Sequence, residues 1–202
     1  AFASRSGNCL SLVLMTSAFA KQLGLDVRYQ QVYTVESWSR DHELEYLNRH
    51  VNLTLLLPPY EDQLLVDFTP IQPNSEERWR VLQESTIVAM FMNNRAVELL
   101  ANREVDRAYW WSRAAIHQDP GMLDAVNTLA VIYKEHGQLA QAEHALRALL
   151  ATEPDNVVAL DNLVIVLSAQ GRSREAETVA ARLGITIPEV VDLFGRSGHD
   201  VI

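Results

Sequence analysis

Residues 120–154 read PGMLDAVNTLAVIYKEHGQLAQAEHALRALLATEP, and this stretch decides the architecture. Two apolar sets lie in it, Val126, Leu129, Ala130 and Tyr133, then Ala142, Ala145, Leu146 and Leu149. Both follow the three-to-four residue spacing that puts side chains on one face of a helix. Gly137 between them suits a tight turn, and Pro154 ends the second helix because proline lacks an N–H and clashes with the preceding turn. The unit recurs: Pro120, Pro154 and Pro188 stand 34 apart, as do Ala108, Ala142 and Ala176, and Gly137 and Gly171 repeat the interval. One period shared by different residue types predicts stacked helical hairpins, with a small Ala in each second helix where neighbours approach closely.

The rest of the composition sets limits. The chain has 202 residues, 48% hydrophobic and 21% charged, enough to bury a sizeable core. Its single Cys excludes an internal disulfide. A net charge of -9, with 7 basic and 11 acidic side chains in residues 1–88 and 10 and 15 in 89–202, excludes the basic footprint that nucleic acid requires. Apolar runs such as Leu163–Leu167 fall far short of a membrane span, so no transmembrane segment is expected in this sequence. It opens on Ala1, without a basic-then-apolar leader, and reads as a piece whose upstream part is absent.

Residues 89–188 resemble the tetratricopeptide repeat family, through Gly137–Ala142, Gly171–Ala176, Glu153–Asn156 and Asp119–Pro120. Arg103 stands where the later turns carry Gly, which marks the first unit as atypical. Three 34-residue units and a tail are expected over 89–202. Asn93 and Asn127, also 34 apart, and Asn162 fall on successive first helices. An amide can both donate to and accept from an extended peptide backbone, so these three are candidate peptide-binding residues; a solvated polar face is the alternative.

Residues 1–73 follow another pattern. A helix is expected from Cys9 to Leu23, capped by Ser6 or Asn8, ended by Gly24, and buried through Leu10, Val13, Leu14 and Ala18. Strands are expected at Val27–Val35, Leu47–Leu57 and Gln63–Thr69. Residues 74–88, opening on a polar stretch with helix-start character, are expected to bridge the two halves. The fold class is thus α+β, a helix with an antiparallel meander, followed by an α-solenoid.

The one thiol, Cys9, begins the first helix, where unpaired N–H groups and the macrodipole favour the reactive thiolate. A buried, inert Cys is the bland alternative. His50 and Asp67 are 17 residues apart on consecutive strands, a hairpin spacing that lets both side chains meet on one face. A His beside a thiolate moves protons, and a carboxylate on its far nitrogen fixes the tautomer.

Ser6-Gly7-Asn8-Cys9, Ala18–Arg28, Arg49-His50-Val51-Asn52 and Leu65-Val66-Asp67-Phe68 together resemble the core of the transglutaminase-like cysteine protease superfamily, related in fold to papain. The resemblance implies a catalytic Cys9, His50 and Asp67 that transfer an acyl group from a peptide or protein amide. Hydrolysis by a peptidase or amidase is the favoured outcome, and an amine acceptor stays open. No cofactor is implied. The composite looks bacterial, cytoplasmic or periplasmic, with tethering through an upstream lipid signal left open.

Rival readings attach to the same residues. His42, Glu43 and His50 are potential metal ligands, but the stretch lacks the second His of a helical zinc motif, and no metal is expected. Asn52-Leu53-Thr54 matches a glycosylation acceptor inside a core strand. Tyr109, Trp110 and Trp111 are read as packing between the first repeat and the catalytic module, and His117, His136 and His144 as solvated. The alternative for the whole chain is a non-catalytic peptide- or protein-binding scaffold with a degenerate first half.

Overall fold

The structure, a computed structural model, describes residues 8–37, 45–57, 62–69 and 77–183. The chain divides into two units, Ala1–Phe91 and Met92–Ile202.

The first unit begins with α1, Cys9–Gln22. Asn8 caps it, its side-chain oxygen accepting from the Ser11 N–H at 2.9 Å. The buried stripe is Leu10, Val13, Ser17 and Ala20, rotated from the expected one: Leu14 is half-buried and Ala18 exposed. Ser17 can occupy that stripe because its hydroxyl donates to the Leu14 carbonyl at 2.9 Å, leaving no unpaired donor in the core.

Four antiparallel strands follow, β1 (Asp26–Ser37), β2 (Glu45–Leu57), β3 (Asp62–Val66) and β4 (Glu77–Leu82), in the order β3-β2-β1-β4. β4 corrects the sequence expectation for residues 74–88. Polar Glu77, Arg78 and Arg80 hide a strand that pairs with β1, Tyr29 opposite Leu82 and Val32 opposite Trp79. Its described side chains do not alternate: Trp79, Arg80 and Val81 are exposed and Leu82 is buried, while the Arg80 Nε donates to Gln31 Oε1 at 3.0 Å across the ladder. Val51, Leu53 and Leu55 of β2 pack with Leu10, Val13, Tyr29 and Leu82 and with Ile87 from the start of α2 (Glu84–Ala101). This is the core of the unit.

The second unit holds the rest of α2, then α3 (Val105–Gln118), α4 (Leu123–Glu135), α5 (Leu139–Thr152), α6 (Val157–Ala169) and α7 (Ser173–Ala180). The 34-residue period is the period of the hairpins. Ala108, Ala142 and Ala176 are all fully buried, which is why each second helix carries a methyl group there. The turns at Arg103, Gly137 and Gly171 share a left-handed backbone, φ 62°, 72° and 75°. Two clusters fill the interior: Leu146, Leu149, Leu163, Val164 and Leu167 in one, Leu99, Leu100, Val131 and Ile132 in the other.

An ionic knot adds to the last turn. Arg172 grips Glu175 with two nitrogens at 2.6 and 2.7 Å and reaches Glu143 of α5 at 2.5 Å. Among the described residues no helix is long and apolar enough to cross a membrane.

Candidate functional site

The hairpin of β2 and β3 pairs Leu53 with Val66, so Asp67, the next residue, comes opposite Asn52. Alternation puts Val51, Leu53 and Leu55 against α1, and His50, Asn52 and Thr54 on the other face. On that face His50 Nε2 lies 2.9 Å from Asp67 Oδ2. The Asn52 Nδ2 donates to the same oxygen at 3.0 Å, and the Thr69 N–H donates to Oδ1 at 2.8 Å.

The His50 and Asp67 side chains are 13% and 11% exposed, a pair shielded from bulk water but still reachable. Burial pushes the Asp67 carboxyl up, yet the bonds from Asn52, Thr69 and His50 outweigh it and hold the group below the usual Asp value. An ionised Asp67 accepting at Nε2 leaves Nδ1 of His50 as the nitrogen for any proton transfer.

Cys9 is the first residue of α1, half-buried against the apolar cluster built on the Val51 side of β2. Among the described residues its thiol makes no hydrogen bond with His50. Of the three residues named from sequence, the described contacts therefore join two. Asn52 was missed. Its one sequence signal is the i+2 spacing from His50, which in a strand means the same face. At 3% exposure and bonded to Asp67, it is not placed as a glycan acceptor.

Among the described residues no group of three His, Cys, Asp or Glu side chains could hold a metal ion. His42 and Glu43 lie outside the described residues.

The asparagines form the second candidate site. Asn93 lies on α2, Asn127 on α4 and Asn162 on α6, at 8%, 7% and 2% exposure. They are buried, which corrects the solvated-face alternative. Asn162 Nδ2 donates to Asn127 Oδ1 at 3.0 Å. The side-chain oxygens of Asn93 and Asn162 are buried with no hydrogen-bond partner.

Tyr109 and Trp111 pack against the Leu99–Ile132 cluster inside the helical unit. Trp110 departs from the packing expectation: it is 65% exposed, edge-on to Tyr109, with the Arg113 guanidinium 6.0 Å from its ring. His117 and His144 are exposed as expected, and His136 meets Asp106 at 3.3 Å on the surface.

Residues 94–163 match the family model described as tetratricopeptide repeat. A TPR repeat-containing protein of Pseudomonas aeruginosa is 30% identical over 103 residues, which are 48% of this chain and 18% of that protein. The chain thus spans less than a fifth of that relative's length. Among solved structures, the first TPR of Spaghetti bound to an HSP90 peptide is 16% identical with a TM-score of 0.46, over 55% of this chain and 83% of that one. The Sgt2 TPR domain from Aspergillus fumigatus is 15% identical with a TM-score of 0.46, over 56% of this chain and 70% of its own. Residues 94–163 thus match the tetratricopeptide repeat within the stretch whose 34-residue period predicted stacked helical hairpins.

Proposed function

We propose that this chain is a peptide- or protein-binding scaffold whose repeats hold an extended segment of the partner along their first helices. The observation that carries this reading is the buried amide series. Asn162 occupies the Oδ1 of Asn127 and so turns the Asn127 Nδ2 toward other acceptors, while the Oδ1 atoms of Asn93 and Asn162 lack a donor. A buried acceptor left unpaired costs about 1–3 kcal/mol, which a ligand N–H recovers. Asn93, Asn127 and Asn162 are then the contact residues, and Asn162 also orients Asn127. The test is selection from a phage-displayed random peptide library, followed by calorimetric titration of a selected peptide. Asn127→Ala is expected to weaken binding about tenfold; equal affinity in the folded variant overturns the assignment.

The His50–Asp67 bond favours a second reading, cysteine-dependent acyl transfer of the transglutaminase-like type. In it the Cys9 thiolate adds to an amide carbonyl, the amine leaves with a proton from His50, and water or an amine resolves the thioester while His50 takes the proton back. Iodoacetamide labelling of Cys9 tests it. A triad thiol alkylates well below ordinary thiol titration and slows in His50→Ala; an ordinary profile, unchanged in His50→Ala, leaves the scaffold reading alone.

A further inference from the structure

Asp67 accepts three hydrogen bonds, and two converge on a single oxygen. His50 Nε2 and Asn52 Nδ2 reach Oδ2 at 2.9 and 3.0 Å from successive same-face positions of β2, while the Thr69 N–H holds Oδ1 at 2.8 Å. The carboxylate is therefore pinned at both ends. The direction of the Asn52 amide follows from charge, since its oxygen turned toward a carboxylate would be repelled. That choice leaves the Asn52 Oδ1 buried without a partner.

Packing alone does not account for Asn52. Asn is a poor strand former, and a β-branched residue at a position 3% exposed would fill the space with no unpaired oxygen. What Asn52 adds is the second donor on Oδ2. Without it Thr69 still holds Oδ1, but Oδ2 keeps His50 alone and the carboxylate's rotation about Cβ–Cγ is less tightly fixed.

We propose that Asn52 is a positioning residue: it locks Asp67 in the rotation that receives the Nε2–H of His50, and thereby keeps the imidazole lone pair on Nδ1. The inference deepens the acyl-transfer reading and takes its purpose from it. Its geometry stands on the hydrogen bonds themselves.

The experiment is nitrogen-15 NMR of the His50 ring in the full chain at neutral pH, with Asn52→Val as the variant that suits a strand. The intact protein is expected to show the Nε2–H tautomer, and Asn52→Val to lower its ratio to the Nδ1–H form about threefold or more. An unchanged ratio in the folded variant overturns the proposal. Should Asn52→Val not fold, exchange of the Asn52 side-chain amide protons decides: slow in the intact protein and faster in Asp67→Asn supports the role, equal rates overturn it. A tautomer shift without His50-dependent Cys9 alkylation removes the enzymatic reading and leaves the positioning. Alkylation that depends on His50 with no tautomer shift does the reverse.

Discussion

Asn162 donates from Nδ2 to Asn127 Oδ1 at 3.0 Å, a hydrogen bond between side chains 35 residues apart that joins the first helices of two consecutive repeats. The bond spans one repeat plus one residue. Both groups are buried, so each depends on the other for satisfaction.

Replacing Asn162 with Leu, which keeps its branched heavy-atom shape, removes the donor and strands the Asn127 Oδ1. The expected loss is about 1–2 kcal/mol in urea denaturation. Asn127→Leu in the same background should recover part of it, because the double variant has no unpaired group; a double-mutant cycle with no coupling would contradict the pairing.

Arg103 holds a left-handed φ of 62° where Gly137 and Gly171 occupy the same place in later turns. A side chain there costs about 1–2 kcal/mol, and its ion pair with Glu135 at 3.3 Å is exposed and weak. Arg103→Gly is expected to stabilise the chain by about 0.5–1 kcal/mol, after the larger entropy of Gly in the unfolded state is set against the relieved strain. A lower melting temperature would refute this.

Ala142 is fully buried, in the cluster with Ala130, Leu146, Leu163 and Ala176. Ala142→Leu forces three more carbons into a filled contact and should destabilise by about 1–3 kcal/mol or more. Exposed Gln141→Leu, one residue away, is the control and should change stability little.

Acidification below the ordinary carboxylate range, about pH 4, should remove part of the chain's stability, and the sign follows from the carboxylates. Burial pushes Glu143 up, but Arg147 and Arg172 outweigh it and hold it low, as Asn52, Thr69 and His50 hold Asp67. Groups depressed in the folded state stabilise above their unfolded value, and that contribution is lost as pH falls through the folded one. Asp161 is the opposite case, pushed up by burial. Asp161→Asn should therefore raise the melting temperature at pH 7 and lose that advantage near pH 3, whereas Glu143→Gln should lower it at pH 7. Melting curves at the two pH values check both directions.

The hairpins were legible because their signals are local: Pro ends, Gly turns and apolar stripes recur at 34 residues whatever surrounds them. The His50–Asp67 meeting was legible for a similar reason, a hairpin of fixed length joining adjacent strands. β4 was not, since its exposed Trp79, Arg80 and Val81 show no alternation and its pairing exists only beside β1. Asn52 was hidden inside a pattern that suggested glycosylation, because its partner lies 15 residues away.

What the sequence determined by itself was periodicity: helix length, turn chemistry, repeat spacing and the strand pair that carries an imidazole and a carboxyl group. Tertiary structure alone decided which polar groups are buried and what satisfies them, as with Asn127 and Asn162, Asn52 and Asp67, and Arg172 with Glu143. The reason is physical. Backbone propensity and side-chain period act over a few residues, whereas the desolvation that makes a buried amide need one particular partner exists only after distant segments have excluded water together.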